Sequence, residues 1–147
     1  MDRTAQIAYV SSHLLPRAAL LTRLLVSRLG CEFSRTEVGL LHTLSDGPRR
    51  ITELAALERL AQPTMTQLVK RLEREGLVAR ERGADDGRVV LVRLTPAGSA
   101  ALEQFRTSAG AALSAHLAEM PDDEVAALAT ATETLARLVE HLQEESP

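Results

Sequence analysis

Cysteine is almost missing from this chain of 147 residues: Cys31 stands alone, so no internal disulfide can form, as suits a reducing compartment. Tryptophan is absent, and Tyr9, Phe33 and Phe105 are the only aromatic residues. Aromatics this scarce, beside abundant leucine and alanine, argue against a β-rich sandwich and for helices. Long apolar runs are also lacking. Arg17, Arg23 and Arg28 interrupt the leucine-rich stretch near the N-terminus, and the expectation is neither a signal peptide nor a membrane span. No glycine-rich phosphate loop, nucleophile elbow, His-Glu-x-x-His or paired-cysteine motif occurs, so no enzyme and no cofactor is expected. The four histidines are dispersed without metal-ligand spacing, and no metal site is expected.

What is present describes a folding chain. Apolar residues at 45% and charged residues at 25% exclude disorder, and the length suits one domain, taken as 1–147. The net charge of −3 conceals a division. Residues 49–95 hold ten Arg/Lys against seven Asp/Glu, a net of +3, whereas residues 119–147 hold eight acids and one base, a net of −7. A basic middle in an otherwise acidic chain suggests a module that faces an anion.

Hydrophobic spacing sets out the elements. Apolar residues at steps of three and four mark a long helix over 4–29, in which Pro16 should introduce a kink. Around 18–26 the apolar positions surround this helix, which calls for cover from a second polypeptide. Ser34 and Glu37 form a capping box opening a helix to about Ser45, with Val38, Leu41 and Leu44 inward. Thr52 reads as the N-cap of a two-turn helix to about Arg59, and Pro63 as the first residue of another that ends at Gly76. Two β-prone runs, 77–82 and 89–94, flank a Gly/Asp-rich connection and read as a hairpin. Thr95-Pro96 opens a helix to about Glu119, and Pro121-Asp122 opens a last one whose Val125, Leu128, Thr132, Leu135, Val139 and Leu142 form a seam for another helix.

Two helices joined by a short turn and followed by a hairpin make a winged helix-turn-helix, here over residues 34–95, whose second helix can enter the DNA major groove. A helical wheel puts Met65, Leu68, Val69 and Leu72 on one face and Pro63, Gln67, Lys70 and Arg74 on the other, flanked by Thr66 and Arg71. Hydrogen-bonding groups near the start of such a helix meet base edges, and cations further along neutralise phosphates. Gln62, Pro63, Thr64, Thr66, Gln67, Lys70, Arg71 and Arg74 are the candidate contacts. At the hairpin tip Asp86 is placed to hold the Arg88 guanidinium. Two readings stay open for Arg88: insertion into a narrow minor groove, or an exposed ion pair.

The run Ile51-Thr52-Glu53-Leu54-Ala55, the helix from Gln62 to Glu73, then Glu75-Gly76-Leu77-Val78 and Leu94-Thr95-Pro96-Ala97-Gly98 resemble the MarR family of bacterial transcription regulators. The resemblance covers nearly the whole chain. It implies a mainly α fold with a β-hairpin wing, dimerised through helices 4–29 and 96–143. It also implies a homodimer on a palindromic operator, typically a repressor released by a small anionic or phenolic effector, in the cytoplasm on the nucleoid. The family's Asp-x-Arg wing signature falls on Asp86-Gly87-Arg88 and favours the minor-groove role of Arg88. Its common Asp-Pro at the wing start is replaced by Gly83-Ala84.

For an effector, the polar residues on otherwise apolar helices are His13, Arg17, His42, Arg106 and His116. Some relatives sense peroxide through a cysteine, which makes Cys31 either a redox switch or a small buried hydrophobe. The other competing class is a dimeric helical adaptor that uses its winged helix to bind protein.

Overall fold

The computed structural model describes residues 2–30 and 33–145, and Cys31, with its redox reading, lies outside the described residues. The elements run α1 (Arg3–Arg28), α2 (Arg35–Ser45), β1 (Arg49–Arg50), α3 (Ile51–Leu57), α4 (Gln62–Arg74), β2 (Val78–Arg82), β3 (Val90–Leu94), α5 (Pro96–Leu117) and α6 (Asp122–Glu144). The chain divides into two compact units, one ending at Gly110 and the next beginning at Ala111.

In the first unit the core is formed by Leu40, Leu41 and Leu44 of α2, Leu54 and Ala55 of α3, Met65, Val69 and Leu72 of α4, Leu77, Val78 and Val92 of the sheet region, and Leu102 of α5. Each fully buried leucine stabilises the fold by roughly 1.5 to 3 kcal/mol through apolar transfer. The expected inward set of α2 lacked Leu40, which is fully buried, whereas Val38 is only partly so. The capping box is present in both directions: Glu37 N–H donates to Ser34 Oγ at 3.2 Å, and Ser34 N–H donates to Glu37 Oε2 at 2.7 Å.

The sheet has three strands in the order β1-β3-β2, all antiparallel. The sequence reading missed β1, a two-residue strand in which Arg49 faces Val92 and Arg50 faces Leu91. Its pairing explains one correction. The ladder holds the backbone extended through Arg50, so α3 begins directly at Ile51, and Thr52 lies inside its first turn rather than at its N-cap. Arg50 occupies the cap position without a side-chain bond. A second unforeseen feature is Arg59, which turns the chain between α3 and α4 with φ of +53°. There Leu60 N–H closes the turn onto Ala55 O at 2.9 Å. Helix α4 starts at Gln62, which puts Pro63 at its second position, and Gly76 with φ of +75° follows its C-terminus as expected.

Thr95 joins the wing to α5. Its Oγ1 accepts from Gly98 N–H at 3.0 Å and donates to Gly76 O at 2.6 Å, while its own N–H donates to Leu77 O at 3.1 Å. Helix α5 therefore starts hard against the beginning of β2. A Cβ on Gly98 would stand 2.0 Å from Leu77 O, so only glycine fits.

Helix α1 runs through Pro16 without ending and has no buried residue; Ile7, Val10, Leu15 and Leu21 are among its exposed apolar side chains. In the second unit α6 buries no residue either, and Leu128, Leu135, Val139 and Leu142 of the expected seam are exposed. No helix of the described residues is long and apolar enough to cross a membrane.

Two stability measurements follow. Gly98→Ala forces a methyl group onto a backbone carbonyl and should destabilise by at least about 1 to 3 kcal/mol, read as a lowered Tm. An unchanged Tm would mean that α5 and Leu77 are less closely apposed. Glu58 provides the second. It packs over Gly39, where a Cβ would come within 3.1 Å of its carboxylate, and burial pushes its carboxyl above the ordinary range although the Arg35 charge partly offsets this. The folded chain therefore holds this proton more tightly than the unfolded chain, so stability falls as pH rises from the unfolded pKa of about 4.3 through the folded value. Glu58→Gln should be more stable than wild type at pH 7, and the gap should close below about pH 4, where both side chains are neutral. A pH-independent gap would exclude ionisation as its cause.

Candidate nucleic-acid interface

Helix α4 is oriented by what it buries. Met65, Val69 and Leu72 have no accessible surface, which turns Pro63, Gln67, Lys70 and Arg74 outward. Leu68, expected inward, is partly buried against the core. Gln62 and Thr64 are exposed in the first turn, and no side chain caps the helix there because its N-cap is Ala61. Thr66 is half-buried and donates its hydroxyl to Gln62 O at 2.9 Å, which leaves its methyl group for any outward contact.

The cations of the basic module divide by partner. Arg50 pairs with Glu53 at 3.9 Å, Arg71 with Glu37 at 3.0 Å and Glu75 at 3.2 Å, Arg80 with Glu73 at 3.3 Å, and Arg93 with Glu81 at 3.1 Å. Arg49 donates to Pro48 O and Arg82 to Gly87 O, both at 3.0 Å. Lys70, Arg74 and Arg88, together with Arg59, make no ion pair or hydrogen bond through their side chains among the described residues. Three of these four lie where the sequence placed phosphate and groove contacts. Because exposed pairs contribute only about 0 to 1 kcal/mol, the division matters less for stability than for where positive charge remains uncompensated.

The wing tip differs from expectation in one respect. The Asp86 carboxylate accepts from the backbone N–H of Arg88 at 2.9 Å instead of from its guanidinium, so it shapes the loop and leaves the arginine head free. The turn is closed by Gly83 N–H on Val89 O at 2.8 Å and Val89 N–H on Asp86 O at 3.1 Å. Arg82 braces the same loop from β2 through Gly87 O. The sequence reading missed this brace, since only the register Arg82 opposite Val90 brings that side chain back over the loop.

The candidate effector residues fall into separate places. On α1, His13 stacks on Tyr9 with ring centroids 4.3 Å apart, and Arg17 donates to Tyr9 Oη at 2.9 Å with its guanidinium 5.4 Å from the ring centre. His42 of α2 and Arg106 of α5 meet, Arg106 Nη2 lying 2.8 Å from His42 Nδ1. His116 belongs to the last turn of α5, in the second unit. Among the described residues no three His, Cys, Asp or Glu side chains gather as a metal site.

A helix-turn-helix followed by a sheet whose β2 and β3 extend as a hairpin defines a winged helix. Comparison with known proteins agrees. The family model described as MarR family matches residues 33–90. The HTH-type transcriptional repressor YetL of Bacillus subtilis (strain 168) is 36% identical over 73 residues, covering 50% of this chain and 44% of that protein. The chain spans about half the length of the curated relatives it matches. A MarR family protein from Bacillus stearothermophilus matches with TM-score 0.70 at 26% identity, covering 95% of this chain and 99% of that one. The PcaV transcriptional regulator from Streptomyces coelicolor, solved in complex with its natural ligand, shares the fold with TM-score 0.56 at 23% identity, covering 87% of this chain and 94% of that one. Residues 33–90 thus match the MarR family, and the chain shares the fold of a MarR family protein.

Proposed function

We propose that this protein is a sequence-specific DNA-binding transcriptional regulator without catalytic activity, acting as a homodimer on a palindromic operator, most simply as a repressor. The observation that carries this reading is the placement of its uncompensated charge. Lys70, Arg74 and Arg88 are unpaired among the described residues, on the outward face of α4 and at the wing tip, while Arg50, Arg71, Arg80 and Arg93 around them are held by carboxylates. Gln67 stands at the centre of the α4 face, and its amide donor and acceptor can pair with the edge of an adenine. Arg88, released from Asp86, is free to follow the electrostatic potential of a narrow minor groove.

Exposed apolar side chains on α1 and on α6 support self-association. Ile7 is 53% accessible, Leu15 74% and Leu142 55%, apolar surface that a second copy of the chain would cover. A small anionic or phenolic effector is part of the same reading. YetL bears the name of a repressor and PcaV was solved with its ligand, and here Arg17 beside Tyr9 and Arg106 beside His42 offer cations next to ring systems. The site of action is the nucleoid in the cytoplasm.

A salt titration separates base reading from charge, using an operator recovered by selection from randomised duplexes and a scrambled control. Gln67→Ala should weaken operator binding by about 1 to 3 kcal/mol and relax the preference at one base pair per half-site. Lys70→Ala should weaken both duplexes alike and make the salt slope shallower by about 0.9 per phosphate contact, about 1.8 for a dimer. If Lys70→Ala changed sequence preference and Gln67→Ala only the slope, the outward face would be misassigned. If selection enriched no sequence at all, the adaptor reading would replace the regulator.

A further inference from the structure

Arg71 lies on the flank of α4, one turn after Gln67, and its half-exposed side chain reaches the buried Glu37 rather than extending away from the protein. Its Nη1 is 3.0 Å from Glu37 Oε1, and its Nε donates to Glu75 Oε1 at 3.2 Å. Glu37 is the buried charge of the chain's core region, with 1% of its surface accessible. One carboxylate oxygen is used by the capping box, accepting from Ser34 N–H at 2.7 Å. The other has the Arg71 guanidinium as its ionic neighbour, without the alignment of a hydrogen bond, so its charge is balanced chiefly by that one cation. An unpaired carboxylate at this depth would be strongly unfavourable, which ties Arg71 to Glu37.

We infer that Arg71 is a positioning residue rather than a phosphate contact: with Glu37 it fixes the rotation of α4 against the start of α2, and so aims Gln67 at its base. This rests on the DNA-binding reading above. A guanidinium shared between two carboxylates presents little net positive charge to a phosphate. A bidentate base contact, by contrast, tolerates little rotation of its helix, whereas a cation on a long flexible stem follows a phosphate through several ångströms. Loosening the pair should therefore erode discrimination before it erodes general affinity.

The test uses Arg71→Met, which keeps the apolar stem, and Glu37→Gln, which keeps the capping box because a glutamine carbonyl also accepts from Ser34 N–H. These and the double variant are titrated with salt on the selected operator and on scrambled duplex, and unfolded thermally. Each single variant should lower the operator-to-scrambled affinity ratio by about five- to tenfold with the salt slope unchanged, and the double variant should lose no more than Arg71→Met alone. A slope shallower by about 1.8 for Arg71→Met, with the ratio preserved, would make it a phosphate contact and overturn the inference. Additive Tm losses of the two single variants would overturn it too, because independent residues add. If wild type itself did not discriminate between the duplexes, the regulator reading would fail, and the Tm cycle alone would decide whether the pair locks α4.

Discussion

The candidate interface depends on a single packing constraint: three side chains on the inner face of α4 have no accessible surface. Met65, Val69 and Leu72 repeat at the helical period and fill the space between α2, α3 and the sheet, so rotation of α4 by even one residue would expose apolar surface and bury charge. Every property of the outer face follows from that. Gln67, Lys70 and Arg74 point outward because their neighbours cannot, and the Glu37–Arg71 pair sits at the edge where the buried and exposed faces meet. At the other end of the lobe, Gly98 performs the equivalent task for the wing. Its missing side chain lets α5 start against Leu77 O, and Thr95 bonds to both sides of that junction, which fixes where β2 and β3 emerge.

Charge is then distributed by geometry rather than by composition. The basic module carries a net of only +3, too little by itself to identify a polyanion as partner. Once folded, several of its acids, joined by Glu37 of α2, are placed on particular bases. Glu73 faces Arg80 between α4 and β2, Glu81 faces Arg93 across the hairpin, and Glu37 and Glu75 enclose Arg71. The acids thus neutralise Arg50, Arg71, Arg80 and Arg93 and leave without a carboxylate Lys70 and Arg74 on the outward face of α4 and Arg88 at the wing tip, along with Arg49, Arg59 and Arg82. A modest sequence charge becomes a directed one.

Much of this was legible in the chain. The capping box at Ser34, the stop at Gly76, the period of three and four in α4 and the Thr95-Pro96 start are local signals that act within one or two turns, and each element they mark is present. What escaped the reading was nonlocal. Strand β1 is two arginines with no strand signature, ordered by pairing with β3 more than forty positions away, and that pairing displaced the expected cap from Thr52. Arg59 takes a left-handed conformation that sequence reading assigns to glycine or asparagine. Glu37 was visible as a cap but not as the partner of Arg71, because a carboxylate has two oxygens and only the fold shows what the second one meets. Asp86 and Arg88 were correctly paired in sequence, with the wrong atoms: the carboxylate bonds the backbone N–H.

The most direct test of this account neutralises the cations of the module one at a time and compares the salt dependence of DNA binding. Arg74→Met and Arg88→Met, which remove unpaired charge, should each make the slope of log K against log salt shallower by about 0.9 per lost contact, or about 1.8 for a dimer. Arg80→Met and Arg93→Met, which remove charge already held by Glu73 and Glu81, should leave the slope where it was. Equal changes for all four variants, or larger ones for Arg80 and Arg93, would contradict the claim that the fold selects which cations face the nucleic acid.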